Sequence, residues 1–336
     1  MADAESAAEN TLKLLHSFRT TQVMYVIAKL GLADLLAEAP LTANELASRV
    51  GVNASSLGRV LRFAAYCGLV SEVPGGRFEL TELGRPLCGS AAFSVKANAV
   101  MLGEEHYGAW GALLYSVKTG ESAYEHVYGA PFFEYMAAHP DAQAAFDAAM
   151  SARKSFGRSL GDAYDFSKAR VVVDVGGGNG SVAAMILEHN PGVEAVVYDQ
   201  PQVLEAADRY LSAAGLRSRC RLEPGDFFES VPAGGDLYVL SNIVHDWDDM
   251  RAGRILRNCH RAMAPSSVLL LIEVVMPEHG RPSPAAMQDV NMMVLLTGRE
   301  RTEKEYESLL GAAAFRLAKV YPLWERESLI EARPLS

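Results

Sequence analysis

The sequence predicts an α/β protein, in which helices cover both faces of a mainly parallel sheet, with a smaller helical domain before it. Three observations lead to this fold class. A valine-rich strand runs into three consecutive glycines within residues 170–180, and from there to the C-terminus strands and helices alternate. Such alternation is typical of parallel sheets. Residues 1–91, in contrast, have a helical pattern followed by one hairpin.

The composition is that of an ordinary globular protein. The chain has 336 residues, 49% of them hydrophobic and 21% charged, and a net charge of −10. This length predicts about two domains, and the negative charge argues against a nucleic-acid or anionic membrane surface. We find no apolar run long enough for a membrane span, no signal-peptide pattern and no C-x-x-C motif among the four cysteines. We therefore expect a cytoplasmic protein.

The first domain, residues 1–91, has a winged-helix pattern. A long helical segment precedes a helix that begins at Thr42, a helix capped by Asn53, and a hairpin around residues 74–76. Winged helices often bind DNA, but residues 1–100 hold nine basic and nine acidic residues, and DNA binding needs a basic surplus. We therefore expect a packing or dimerisation module, and a regulator with a ligand-binding domain is the alternative.

Residues 92–165 form a helical region that precedes the third segment, residues 166–336. The pattern predicts helices over Ser94–Lys118 and Asp141–Tyr164. Side chains such as Trp110 could face a substrate pocket, but packing between helices is the simpler explanation.

Residues 170–180 predict a buried strand, a glycine turn and the start of a helix, the usual way in which α/β proteins hold a nucleotide-like cofactor. The dinucleotide pattern G-x-G-x-x-G fails because its third glycine would fall at Ser181, and no lysine follows for a phosphate-binding loop. What is present is an acid, Asp174, before glycines that include Gly176 and Gly178. An acid there would repel a pyrophosphate and favours a cofactor that carries a cation or free hydroxyls.

Polar residues follow the ends of the predicted strands, where parallel sheets bind ligands. Asp199 stands 21 residues after Gly178, a spacing at which a carboxylate often binds ribose hydroxyls. An acid beside an aromatic ring, as in Asp226-Phe227, suits an adenine. The other residues at or just past strand ends are Asp174, Gly176, Ser241, His245 and Glu273. Their convergence predicts one site.

In order along the chain, these segments resemble the motifs of metal-independent, S-adenosylmethionine-dependent O-methyltransferases of the plant caffeic-acid and bacterial antibiotic or phenazine types. The resemblance covers nearly the whole chain, and the matching segments are residues 174–180, 198–201, 225–228, 245–248 and 298–302. It implies a Rossmann-like methyltransferase domain, a winged-helix dimerisation domain and a homodimer. It also implies S-adenosylmethionine as cofactor, no metal, and a small aromatic substrate.

The resemblance implies roles for residues at the cofactor. Gly176 lies against its methionine part, with Gly178 in the same turn, Asp199 takes the ribose hydroxyls, and Asp226 and Phe227 flank the adenine.

The resemblance also implies that His245 is the general base, held in place by Glu273 and Glu300. Ser241 stands where plant members often have a lysine that contacts the cofactor, and serine brings no charge to that contact. Asp289 and Met292, on a predicted apolar helix, are candidates for the substrate pocket.

The expected reaction transfers a methyl group from a sulfonium to an oxygen. A phenol has a pKa of ~10 and an imidazole ~6.5, so complete proton transfer to a histidine would cost about 5 kcal/mol. A carboxylate beside the far nitrogen of His245 would raise its basicity, and Glu300, Glu273 or Asp246 could serve. We therefore expect a phenolic or enolic hydroxyl as acceptor. The alternatives in this fold are N- or C-methylation, decarboxylation, hydroxylation or a pericyclic reaction.

Overall fold

The computed structural model describes residues 2–153, 160–278, 281–323 and 327–335, without the side chains of residues 2–5 and 151–153. The chain divides into two compact units, Met1–Gly108 with His139–Ser155 and Ala109–Ala138 with Phe156–Ser336. The helical region 92–165 therefore contributes to both units. The division into residues 1–91, 92–165 and 166–336 stays a prediction.

The structure contains helices and strands in alternating order after an N-terminal helical part. The helices are α1 (Ala2–Lys29), α2 (Leu32–Glu38), α3 (Ala43–Val50), α4 (Ala54–Tyr66), α5 (Lys96–Gly103), α6 (Glu105–Gly111), α7 (Leu113–Thr119), α8 (Ala123–Tyr128), α9 (Phe132–Ala138), α10 (Pro140–Arg153), α11 (Leu160–Ala163), α12 (Ser181–His189), α13 (Pro201–Ala213), α14 (Asp249–Ala262), α15 (Ala285–Leu295) and α16 (Glu303–Ala312). The strands are β1 (Leu41–Thr42), β2 (Val70–Val73), β3 (Arg77–Leu80), β4 (Val171–Val175), β5 (Glu194–Asp199), β6 (Cys220–Pro224), β7 (Leu237–Ser241), β8 (Val268–Met276), β9 (Arg301–Thr302), β10 (Phe315–Pro322) and β11 (Glu327–Pro334).

The first unit contains the predicted winged-helix arrangement. Helices α3 and α4 precede the hairpin β2–β3, and β1 joins it to make a three-stranded sheet of order β1-β3-β2. Thr42 and Glu45 form a complete capping box at the start of α3, and Asn53 caps α4 by accepting from the Ser56 N–H. Leu46 and Leu61 are fully buried, so the apolar faces of these helices supply the core of the unit.

The helix predicted over Ser94–Lys118 is wrong, because the chain forms the three shorter helices α5, α6 and α7 there. Helix α5 ends at Gly103, where a Cβ would lie 2.3 Å from the Tyr25 ring, and Glu104 leaves the helical conformation. Of the helix predicted over Asp141–Tyr164, the structure describes α10, which reaches Arg153, and α11, Leu160–Ala163. Residues 154–159 of that prediction lie outside the described residues.

The second unit is built on a sheet of order β10-β11-β8-β7-β4-β5-β6. Strands β4 to β8 are parallel to one another, and β11 pairs antiparallel with β8 and β10. Val172 and Val173 of β4 are both fully buried and belong to core clusters on opposite faces of the sheet. Helices α12 and α13 cover one face, and α14 and α16 cover the other. The α/β prediction is confirmed.

No helix in the described parts of the chain is both long enough and apolar enough to cross a membrane.

Candidate active site

The carboxyl ends of four parallel strands meet at one edge of the sheet of the second unit. Strands β7, β4, β5 and β6 are neighbours in that order. Ser241 ends β7, Asp199 ends β5, and the turns after β4 and β6 carry Gly176 and Asp226. The structure therefore brings these predicted cofactor residues to the same edge, where ligands bind in open α/β sheets.

The glycine turn is shaped partly by packing and partly by open space. Gly176 has φ +68°, and a Cβ there would lie 2.6 Å from Ile243 Cδ1. A Cβ on Gly177 would lie 2.9 Å from the Asp174 carboxyl carbon. Only Gly178, with φ +57°, would point a Cβ into open space. The protein's own side chains therefore require the first two glycines, and of the three only Gly178 leaves open space for a ligand.

The two acids after β5 and β6 order the backbone around them. The Gly178 N–H donates to Asp199 Oδ2 at 2.8 Å, and the Gln200 N–H donates to Asp199 Oδ1 at 2.7 Å. Asp226 Oδ1 accepts from the Phe228 N–H at 2.7 Å. Each carboxylate oxygen has a further lone pair, so both acids keep the capacity to accept a ligand's hydroxyl or amino hydrogen.

An aromatic cluster follows Asp226. Phe227 and Phe228 pack edge to face with ring centroids 4.9 Å apart, and Phe228 lies 4.8 Å from Trp247 in the same manner. The buried Trp247 Nε1 has no hydrogen-bond partner among the described residues. The sequence analysis assigns no role to Trp247, although it lies in the segment 245–248. An aromatic ring two residues from His245 is the sequence feature that could have indicated one.

These groups fit S-adenosylmethionine. Gly178 leaves space against the backbone, Asp199 and Asp226 offer acceptors for ribose hydroxyls and an adenine amino group, and Phe227 offers an aromatic ring. Ser241 contributes a neutral hydroxyl, 3.5 Å from the Asn242 amide nitrogen.

The turn after β7 places His245. Asn242 adopts φ 55°, a left-handed conformation that residues other than glycine rarely take and that is concentrated at functional sites. Glu273 Oε1 accepts from the N–H groups of Ile243 at 3.1 Å and Val244 at 2.7 Å. One buried carboxylate on the neighbouring strand β8 therefore fixes the backbone that leads to the histidine.

Three carboxylates surround the buried ring of His245. Glu300 Oε1 lies 2.8 Å from Nδ1, Glu273 Oε2 lies 3.6 Å from Nδ1, and Asp246 Oδ1 lies 3.3 Å from Nε2. The predicted grouping of His245, Glu273 and Glu300 is present in the structure. The second oxygen of Glu300 and Oε2 of Glu273 are both buried and accept no hydrogen bond from the described residues.

The cluster changes the acidity of its members. Burial alone lowers the pKa of His245, but the charges of Glu273, Asp246 and Glu300 outweigh it and raise that pKa to about 10. Burial raises the pKa of the Asp246 and Glu273 carboxyls to about 7 each. The imidazole is therefore the strongest base of the cluster.

The same three groups have the composition of a metal site, with His245, Glu273 and Glu300 ligand atoms within 4.8 Å of one another. Two ligands of a tetrahedral zinc, each ~2.1 Å from the ion, lie about 3.4 Å apart. The 2.8 Å between His245 Nδ1 and Glu300 Oε1 is shorter and matches a charge-assisted hydrogen bond.

The two residues predicted to line the substrate pocket lie on α15. Asp289 Oδ1 accepts from the Glu300 N–H at 2.9 Å, so this side chain supports the segment that carries Glu300. Met292 is buried, and its neighbour on the helix, Asn291, accepts through Oδ1 from Trp110 Nε1 at 2.9 Å. Contact of Asp289 and Met292 with a substrate stays a prediction.

Comparison with known proteins gives the family. A family model described as an O-methyltransferase domain matches residues 110–316, and one described as an O-methyltransferase dimerisation domain matches residues 12–90. The phenazine O-methyltransferase PhzM of Lysobacter antibioticus is 42% identical over 96% of this chain and 95% of its own. The crystal structure of LaPhzM has a TM-score of 0.94 and 42% identity, and covers 98% of this chain and 99% of its own.

The names of two further relatives state a molecule that the relative binds or methylates. NcsB1, an O-methyltransferase from neocarzinostatin biosynthesis solved with S-adenosylmethionine and 2-hydroxy-5-methyl naphthoic acid, is 32% identical with a TM-score of 0.84, and covers 94% of this chain and 96% of its own. A phenazine-1-carboxylate N-methyltransferase of Pseudomonas aeruginosa is 30% identical over 98% of both chains. With both family matches, the chain belongs to the class I S-adenosylmethionine-dependent O-methyltransferases.

Proposed function

We propose that the enzyme methylates a phenolic or enolic hydroxyl of a small aromatic molecule, with His245 as the general base. The observation that carries this proposal is the pairing of His245 Nδ1 with Glu300 Oε1 at 2.8 Å. The pairing keeps the Nδ1 proton on the side of Glu300, so the neutral ring has its lone pair on Nε2. Nε2 is then the atom that takes the acceptor's proton.

The pKa of His245 supports a phenolic acceptor. An unperturbed imidazole is a weaker base than a phenolate by ~3.5 units. The surrounding carboxylates raise the pKa of His245 to about 10, which is close to the ~10 of a phenol. The raised pKa narrows the gap for proton transfer from a phenol to Nε2, whereas an aliphatic alcohol remains several units too weak an acid.

The other residues have supporting roles in this proposal. When bound, S-adenosylmethionine supplies an electrophilic methyl group on its sulfonium. Asp199 holds the ribose, Asp226 and Phe227 hold the adenine, and Gly176, Gly178 and Ser241 complete the cofactor site. Glu300 orients the ring of His245, and Glu273 holds the turn before it through Ile243 and Val244.

The homodimer is part of the proposal. The dimerisation-domain match covers the part of α1 on which Leu12, Leu14, Leu15 and Phe18 are exposed, with Leu14 at 75%. Apolar residues exposed in such a cluster mark an interaction surface. We also place the enzyme in the cytoplasm, since all four cysteines are free thiols, and its reaction in secondary metabolism, as for the phenazine and neocarzinostatin relatives.

The relative that methylates phenazine-1-carboxylate on nitrogen makes N-methylation the second candidate. A ring or amine nitrogen attacks through its own lone pair and needs no base before attack. The buried histidine with a carboxylate on Nδ1 therefore favours oxygen.

A panel of matched acceptors tests the proposal. Hydroxylated naphthoates, phenazines and benzoates are compared with their amino analogues, and product mass is followed with S-adenosylhomocysteine release. We expect turnover of the hydroxyl compounds that EDTA does not reduce. Turnover confined to the amino analogues, or cofactor binding without methyl transfer to any acceptor, would contradict it.

A further inference from the structure

Arg301 is the largest fully buried side chain of the described residues, with 1% exposure. A guanidinium keeps its charge in proteins, and a buried charge is costly unless it is paired and hydrogen-bonded. Its carboxylate partner is Asp249, whose Oδ1 accepts from Nη2 at 2.8 Å and from Nε at 3.0 Å. The Asp249 side chain is 65% exposed, so water already solvates this partner.

The remaining donors of Arg301 reach the backbone on both sides of His245. Nη1 donates to the Val244 carbonyl at 3.1 Å, and Nη2 donates to the Trp247 carbonyl at 2.9 Å. Nη1 also donates to the Arg299 carbonyl at 3.3 Å. One planar guanidinium therefore joins Val244, the residue before His245, to Trp247, the second residue after it.

The chain around Arg301 is fitted to the same backbone. The Arg299 N–H donates to the His245 carbonyl at 2.9 Å. A Cβ on Gly298 would lie 1.9 Å from that carbonyl oxygen, so a glycine is needed for the approach. Glu300, between Arg299 and Arg301, holds the ring itself. Residues 298–301 thus contact the backbone and the side chain of His245 together.

We propose that Arg301 is a positioning residue for the reaction: its guanidinium fixes the backbone on both sides of His245, so that Nε2 keeps the orientation that Glu300 sets. The proposal rests on the proposed function of His245. Misplacing a catalytic group by ~1 Å can cost about 100-fold in rate, so two fixed carbonyls matter for turnover as well as for stability. A lysine offers a point charge without the fork and cannot bond both carbonyls in this geometry.

A double-mutant cycle separates positioning from plain stabilisation. Arg301→Lys and Arg301→Met are each made in the wild type and in His245→Ala. We expect each to lower kcat about 10- to 100-fold in the wild type, while calorimetric affinity for S-adenosylmethionine and the acceptor KM change less than about threefold. In the His245→Ala background neither substitution should lower the residual kcat further.

The matched control is Arg219→Lys, at a guanidinium that bonds the backbone carbonyls of Leu187 and Asn190; it shares no hydrogen-bond partner with Arg301, so this change should keep kcat within about threefold. An acidic nitrophenol, ionised at the assay pH, needs no base and should show little loss in the Arg301 variants. Equal losses for both acceptors, additive losses in the cycle, or a normal kcat for Arg301→Lys would overturn the proposal.

If Arg301→Met does not fold, the double-mutant cycle is measured with Arg301→Lys alone, which keeps the charge. If neither variant binds S-adenosylmethionine, Arg301 is structural and the positioning role is overturned. A His245→Ala variant with full turnover would instead remove the proposed function itself. If His245→Ala loses activity and the Arg301 substitutions cause a further, additive loss, only the proposed role of Arg301 is excluded.

Discussion

Glu300→Gln separates the charge beside His245 from the orientation of its ring. Glutamine is nearly the same size and its carbonyl can still accept from Nδ1–H, so the tautomer is preserved. What disappears is one negative charge at 2.8 Å from the imidazole. Glu300 is among the causes that raise the pKa of His245 to about 10, so the substitution should lower that pKa.

The expected size follows from the hydrogen bond. A bond to a charged group contributes about 1.5–3 kcal/mol, and a neutral one about 1 kcal/mol. The difference, roughly 0.5–2 kcal/mol, corresponds to about one pKa unit at ~1.4 kcal/mol per unit. A raised pKa keeps His245 protonated at neutral pH, so activity should rise with pH as the ring loses its proton. In Glu300→Gln this rise should end about one unit lower, at a lower plateau because the base is weaker.

The assay is kcat/KM against pH, measured by S-adenosylhomocysteine release from pH 6 to the limit of enzyme stability. The acceptor's own ionisation is common to both proteins, so a shift between the profiles belongs to the enzyme. Glu303→Gln, an exposed isosteric change at the first residue of α16, is the control and should leave the profile in place. A Glu300→Gln profile with an unshifted rise would refute the charge argument.

Three further results follow from the cofactor edge of the sheet. Asp199→Asn should weaken S-adenosylmethionine binding about 10- to 100-fold, the equivalent of one charged hydrogen bond, and unaltered affinity in calorimetry would exclude the ribose contact. Gly176→Ala should lower the free energy of unfolding by about 2–4 kcal/mol, since left-handed strain adds ~1–2 kcal/mol to overpacking against Ile243. Gly178→Ala carries the same kind of strain without the clash and should cost only about half as much in denaturant unfolding; equal losses would show that the Ile243 contact is unimportant.

Much of this arrangement was predictable because local patterns determine it. Each of these patterns spans only a few consecutive residues: the valine run, the glycine turn and the acids at strand ends. The parallel sheet then brings them together. The capping boxes that begin with Thr42 and Thr302, both complete in the structure, are equally local. Their partners lie only three residues away, within the same turn.

The parts that the sequence did not predict depend on contacts between distant residues. The guanidinium of Arg301 donates to the carbonyl of Val244, 57 residues earlier, and no local pattern predicts that contact. Asp289 was predicted as a pocket residue from its place on an apolar helix, and no local pattern predicts that it also accepts from the Glu300 N–H. The end of α5 at Gly103 was not predicted for the same reason. It depends on the close approach of the Tyr25 ring, a tertiary contact that leaves no pattern within the helix.

The role of His245 as general base is tested most directly by His245→Ala, assayed for cofactor affinity and methyl transfer on the same preparation. We expect calorimetric affinity for S-adenosylmethionine within about threefold of the wild type, because none of the proposed cofactor contacts involves the imidazole. On a phenolic acceptor we expect kcat to fall by about 100- to 10,000-fold, the usual contribution of a general base. Wild-type kcat with intact cofactor binding would contradict this role.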